Sequence, residues 1–388
     1  MTAEVALAVV LLAGAGVMIH SFLNMYTADI GARTTNTVEM LLSLPAATYP
    51  GREEQVSFYD RLTTDLEAIP GVESASIGAP PAGGIPGLRS YELVGGPPVD
   101  ERSRPRVAAA TIGPDYFRTL GVQVLFGRDF NDSDGASGLP VAIVNQRFAR
   151  QHWPGAKALG QRLRLFDGET PEASLTIVGV TPNVVYDPRR QEVSPVVYVP
   201  YAQHAYRGPW VLVRTAVPVG GLITTLRREV RALDPDVIMW LGPYDLADRL
   251  ASEGFYGSTR NSTALLLIFA VTALLLAAVG LYAVVAHSVS QRTREFGIRT
   301  AMGATGRDIL ALVFKQGMLS VGIGLTLGLA AAVVVTPVLR SDLVQVSPVD
   351  PVTLAVASAA LMVSAMLGCL IPARRAMRVN PVVALRHE

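Results

Sequence analysis

The chain has 388 residues, half of them hydrophobic, with a formal net charge of +1 and a mean hydropathy of +0.35. That length allows two or more structural units, the hydropathy is high for a wholly soluble protein, and the near-neutral balance gives no case for nucleic-acid binding. The single cysteine, Cys369, excludes any intrachain disulfide.

Val5 to Met25 is apolar except for His20, Ser21 and Asn24. It is long enough to cross a bilayer, which takes about 20 residues. No basic segment precedes it and no small-residue cleavage site follows it, so a membrane span is favoured over a cleaved signal peptide.

Residues 26–261 are a different material, rich in Pro, Gly and charge, with 23 Lys and Arg against 26 Asp and Glu. Glu53 to Ile69 predicts an amphipathic helix, with Val56, Phe58, Tyr59, Leu62 and Leu66 on or near one face and Pro70-Gly71 ending it. Val72 to Gly78 alternates as a strand does, and Ala79 to Gly87 is a loop. Further strands are expected at 106–112, 140–144, 175–180, 196–199 and 211–215, and helices at 114–120, through Phe148, and at 222–233. Leu246 to Asn261 is a further helix candidate. Interleaved helices and strands argue for an α/β or α+β layered domain.

Three more apolar runs follow, at about 264–287, 316–339 and 352–372, and no charged residue lies within them. The third span carries Ser320, Gly324 and Gly328 at four-residue spacing. Small residues at that spacing let helices approach closely; the stripe is a packing signal first, with a dimer face or a moving seam as the alternative. Between the second and third spans lies a polar loop, 288–315, with Arg292, Arg294, Arg299 and Arg307 against Glu295 and Asp308. A second basic cluster, Arg374, Arg375, Arg378 and Arg386, follows the last span in the tail, 373–388. Short basic loops sit on the cytoplasmic side, so both clusters put the N-terminus, the loop and the tail inside and the large domain outside.

The loop reads as helical. Glu295 and Arg299 are four apart with the acid first, the better order for a supporting pair. Phe296, Ile298, Ala301 and Met302 supply apolar contacts, and Gly303 fits a C-cap. One reading is an interfacial helix that anchors the loop. The other is a docking helix for a cytoplasmic partner.

The run REFGIRTAMGAT, taken with the tail PARRAMRVNPVVALRHE, resembles the FtsX/MacB-type permeases of ABC transporters, closest to one half of the branch that carries two such halves in one polypeptide. Glu295, Gly297, Arg299, Gly303 and Ala304 stand where the family's pattern expects them. The stretches GPDYFRTLGVQVLFGRDF, VAIVNQRFARQHWPGAKALGQRL, TIVGVTPNVV and PVVYVPY resemble the MacB-like extracytoplasmic core domain, whose later-inserted lobe would be roughly Gly113 to Tyr201. The resemblance implies an α-helical membrane protein of four spans, with a large α+β extracytoplasmic domain inserted between the first and second. It implies a cytoplasmic coupling helix, Gln291 to Met302, in which Arg292, Glu295, Gly297, Arg299, Gly303 and Arg307 meet a separate ATPase while Phe296 and Ile298 fill its groove. It implies a homodimer or a sister half, with membrane lipid and an extracytoplasmic adaptor or substrate as further partners. The family's basic lead-in is missing before Val5, from which a truncated gene start or a detached second half is expected.

No Walker A pattern occurs; GAKALGQR lacks the phosphate cradle, so the ATPase is expected on another chain and no cofactor is expected on this one. The five histidines show no metal spacing, and there is no G-x-S-x-G elbow. His152-Trp153 and Trp210 read as packing residues. The expected function is an export permease working by mechanotransmission. The alternative is an FtsX-like scaffold that regulates an extracytoplasmic partner such as a cell-wall hydrolase, and a membrane-anchored enzyme is the remotest reading.

Overall fold

A computed structural model describes the chain apart from residues 1, 28, 85, 98–99, 155–156, 189–192, 253, 292–294, 296–297, 300–301, 303–304, 337, 339–345, 348 and 378–388. It divides into a helical unit, Met1–Thr27 with Ser258–Glu388, and a mixed unit, Ala28–Gly257, inserted within it.

The mixed unit holds two sheets. The first contains β1 (Thr37–Ser43), β2 (Val72–Ile77), β11 (Trp210–Thr215) and β12 (Ile238–Asp245), in the order β12-β1-β11-β2. All its pairings are antiparallel. Helices α2 (Arg52–Glu67) and α5 (Ile223–Leu233) pack on it. On α2 the buried residues are Gln55, Phe58, Tyr59, Leu62 and Leu66, the 3.6-residue period of one helix face. They meet Val38, Met40 and Leu42 of β1, alternate residues that a strand points to one side. Gly71, at φ +96°, turns the chain from α2 into β2.

The second sheet runs β5-β9-β6-β10-β4-β3-β7-β8. Its strands are β3 (Gly87–Leu93), β4 (Arg106–Ile112), β5 (Phe126–Gly127), β6 (Val141–Asn145), β7 (Arg162–Asp167), β8 (Thr170–Pro171), β9 (Leu175–Thr181) and β10 (Val196–Pro200). Because β7 also pairs with β9, six of these strands close into a ring. Strand β10 is buried along its whole length. Val197 and Val199 enter one core cluster while Val196 and Tyr198 enter another, which is why its sequence reads as a continuous apolar run. Helix α3 (Tyr116–Thr119) packs against the second cluster. Asn145 ends β6 and starts α4 (Gln146–His152). Its side-chain oxygen accepts from the Phe148 and Val196 amides, each at 3.0 Å, so one buried amide caps a helix and pins a neighbouring strand. The unit ends in α6 (Leu246–Ser252).

Several expectations need correction here. The eight-stranded sheet begins at Gly87, within the segment expected as the end of a loop, so the second lobe starts before Gly113. Strands β1, β3, β7 and β12 were not expected. The helix expected at 246–261 is helical on both sides of residue 253, as α6 and the start of the next helix at Gly254.

The helical unit contains α1 (Thr2–Thr27), α7 (Gly254–Gln291), α8 (Gly306–Val335) and α9 (Pro351–Met377). All four are long and apolar enough to cross a membrane. Half of α1's apolar stretch, 50%, is buried within the unit, against 22% for each of the others, so α1 is the packed centre and the rest keep apolar outer faces. Contacts are close where residues are small. A β-carbon on Gly328 would lie 2.7 Å from Val9 Cβ, and one on Gly324 would lie 2.6 Å from Val5 Cγ1. At the other end of α1, Gly16 faces Thr353 of α9, and His20 Nδ1 lies 3.4 Å from Asp350 Oδ2. Helix α8 begins ten residues before the expected span because Thr305 and Asp308 start it. The described part of α7 ends at Gln291 and α8 begins at Gly306, while the membrane-length stretch of α8, Met318–Val335, lies within the expected 316–339 span.

Candidate functional site

The polar connection between α7 and α8 is the candidate site. Among its described residues, Glu295, Ile298 and Arg299 are helical, and the Met302 amide donates to the Ile298 carbonyl at 3.0 Å. Spacings of three, four and seven residues put Glu295, Ile298, Arg299 and Met302 along one side of a helix. Arg299 Nη2 pairs with Glu295 Oε1 at 2.6 Å. Both side chains are nearly half exposed, and a surface pair of this kind is worth only about 0.3–0.5 kcal/mol. Beside it lie two exposed apolar side chains, Ile298 at 45% and Met302 at 84%. Solvated methionine and isoleucine next to a modest ion pair contribute little to the chain's own stability. Exposed apolar side chains of this kind suit either a membrane interface or a partner's surface.

Past that segment the chain turns into α8 through a reciprocal cap. Asp308 Oδ2 accepts from the Thr305 amide at 2.9 Å and from the Thr305 hydroxyl at 2.7 Å, the capping-box arrangement. The hydrogen bond from the Thr305 hydroxyl, then that from its amide, holds the Asp308 carboxyl below its ordinary range. The Thr-x-x-Asp pattern was present in the sequence and would have put the helix start at Gly306. Arg292, Phe296, Gly297 and Gly303 lie outside the described residues, as does the side chain of Arg307. Gly324 and Gly328, expected as packing residues, lie against α1, and Ser320 is half-buried. Among the described residues no group of three or more His, Cys, Asp or Glu side chains could hold a metal ion.

A second charged feature, which sequence reasoning missed, lies in the mixed unit. Glu39 of β1 is fully buried and Arg249 of α6 nearly so. Arg249 grips both carboxylate oxygens: Nε meets Oε1, and Nη2 donates to Oε2 at 2.7 Å. The guanidinium carbon lies 5.3 Å from the Trp210 ring centroid. No sequence signal joins residues 210 positions apart. His152 does pack as expected, with Nε2 2.8 Å from the Tyr91 hydroxyl and its ring among Tyr91, Phe148 and Trp153.

Residues 3–233 match the MacB-like periplasmic core domain model, and residues 267–381 match the FtsX-like permease C-terminal model. The chain is 27% identical over 299 residues to the macrolide export ATP-binding/permease protein MacB of a Shewanella species, covering 71% of this chain and 43% of that protein. It is 29% identical over 286 residues to the pyoverdine export ATP-binding/permease protein PvdT of Pseudomonas putida, covering 72% and 42%. The chain thus spans less than half the length of these curated relatives. Among solved structures, the periplasmic region of MacB from Actinobacillus actinomycetemcomitans aligns at a TM-score of 0.39 and 13% identity, over 60% of this chain and 99% of that one. With one domain model matched over more than half of its length and the other over its last three long helices, the chain belongs to the family of MacB-like periplasmic core and FtsX-like permease proteins.

Proposed function

We propose that this chain is the permease component of an ABC-type export system in the cytoplasmic membrane, with its mixed unit on the extracytoplasmic side. The observation that carries the reading is the connection between α7 and α8. There the exposed Ile298 and Met302 flank the Glu295–Arg299 pair, between two helices of membrane-crossing length. The relatives' names supply the class: both are export proteins that join ATP binding to a permease.

In this reading the helix around Glu295 and Arg299 docks on an ABC-type ATPase. Ile298, with Phe296 from the sequence, enters an apolar groove, and Arg292, Glu295, Arg299 and Arg307 make polar contacts around it. ATP binding closes the partner's dimer and shifts the docked helix. Helix α7 carries the movement, and the mixed unit responds on the far side. A second copy or a sister permease half completes the assembly and covers part of the apolar faces of α7, α8 and α9. The chain binds no cofactor in this mechanism; the hydrolytic chemistry belongs to the ATPase.

The test is purification of the tagged full chain from its own host in mild detergent. The expected result is a P-loop ATPase recovered in equal amount. Recovery without any ATPase, or with an extracytoplasmic hydrolase instead, contradicts the reading.

A further inference from the structure

We propose that Arg249 is the positioning residue that fixes α6 to both lobes of the mixed unit, so that movement entering through α6 is passed on rather than absorbed. The inference rests on the mechanotransmission reading above and assigns it a site.

Three contacts converge on this side chain. Its guanidinium pairs with the fully buried Glu39 carboxylate of β1, in the first sheet. Its guanidinium carbon lies over the ring of Trp210 of β11, in the same sheet. Its Nη2 would lie only 2.8 Å from a β-carbon on Gly83, in the segment joining β2 to β3. That segment is tied to the chain around the second sheet. The Ala82 amide donates to the Val185 carbonyl at 2.9 Å. The Tyr116 hydroxyl donates to the Ala79 carbonyl at 2.6 Å and lies 2.8 Å from the Tyr186 hydroxyl. Ala82 is itself held at φ +53° while only 1% exposed, a conformation that surrounding contacts must impose on a residue with a β-carbon. Leu246 and Leu250 of α6 are buried beside the arginine.

A buried ion pair is a poor choice for stability alone, because apolar side chains of similar size often do as well or better. What an arginine–carboxylate contact adds is direction. The hydrogen bond from Nη2 to Oε2 and the Trp210 ring together fix where the guanidinium sits, whereas leucines can slide past one another. Helix α6 leads directly in the chain to α7, the helix that carries the movement. A directional lock at that point keeps α6 from slipping against β1.

The test uses the full chain in nanodiscs of bacterial polar lipid, with the ATPase that purifies with it. Spin labels are placed at Leu139→Cys and Val338→Cys, both exposed, in a Cys369→Ser background that removes the single native cysteine. Electron–electron distances are compared without nucleotide and with ATP plus vanadate. With Glu39 and Arg249 intact, a nucleotide-dependent shift in distance is expected. The double variant Glu39→Gln, Arg249→Met removes both charges together, so neither is left buried alone. It should lose the shift while ATP hydrolysis and recovery of the ATPase continue. A merely structural role would lower thermal stability without separating hydrolysis from movement. If the double variant does not fold, Gly83→Ala keeps both charges but crowds the guanidinium, and it should reduce the shift. A full shift in the folded double variant, or in Gly83→Ala when that is the variant tested, overturns the proposal. No shift with Glu39 and Arg249 intact but the ATPase bound overturns the lock and leaves the permease reading standing. Absence of the ATPase removes both.

Discussion

Asp129 carries a titration that can be read from outside the molecule. Burial, above all, pushes its carboxyl up to about 6, with smaller contributions in the same direction from Asp115 and Asp134; the Phe130 amide and Arg128 oppose them. A carboxyl with a raised folded-state value binds its proton more tightly when folded than when unfolded. Its contribution to stability is therefore complete at low pH and is lost as pH rises from the unfolded value near 4 through about 6. Asp129→Asn removes that loss. The thermal midpoint of the purified full chain should rise at pH 7 in the variant, and the difference should vanish below about pH 4. An unchanged midpoint at pH 7 would mean that the carboxylate is better solvated than its surroundings imply. Glu39 and Arg249 make the opposite kind of pair, in which each charge is tolerable only because the other is present.

At the scale of elements, close approach of α1 and α8 depends on small residues, and two glycines of α8 make opposite predictions. Gly322 has nothing within 4 Å of a β-carbon position, whereas at Gly328 that atom would sit 2.7 Å from Val9 Cβ and 2.9 Å from the Ala6 carbonyl oxygen. Gly322→Ala should be neutral or stabilising by up to about 1 kcal/mol through helix propensity. Gly328→Ala should destabilise by about 1–3 kcal/mol through overpacking. Thermal midpoints in one detergent compare them, and equal effects would deny the close contact. The stripe was legible because its spacing is local. The helix α2 and the strands β6 and β10 were legible for the same reason, since period and burial are written along the segment itself. Strands β1, β3, β7 and β12 were not. Strand β3 opens on Gly87 and contains Arg89 and Glu92, β7 contains Arg162 and Arg164, and β12 contains Gly242-Pro243. Each carries residues that read as loop or breaker, and each becomes a strand because a partner distant in the chain supplies its ladder, as β3 does with β7. The candidate docking segment was legible as a charged, four-spaced motif between apolar runs. The Glu39–Arg249 lock was not, because it exists only after β1 and α6 are brought together.

For the whole molecule, the division of labour follows from where apolar surface lies. The mixed unit buries most of its large apolar side chains in clusters around two sheets. The helical unit exposes Leu265, Ile268, Phe269 and Leu276 on α7, Leu319 and Leu327 on α8, and Val352, Val356 and Leu367 on α9. A hydrocarbon surround or another helix satisfies such faces; water does not. Two membrane-length helices joined by a short polar connection then present that connection to a partner on its side. Glu295 and Arg299 lie on it as a pair, so exchanging them, Glu295→Arg with Arg299→Glu, keeps an ion pair within the helix while inverting the field that a docked protein would meet. Across an interface, close charge pairs are sensitive to such inversion. The exchanged chain, purified from its host beside the native one, should insert and fold equally but recover the ATPase at least about tenfold less well, a difference of 1.4 kcal/mol. Equal recovery of ATPase by both chains would contradict docking through this helix.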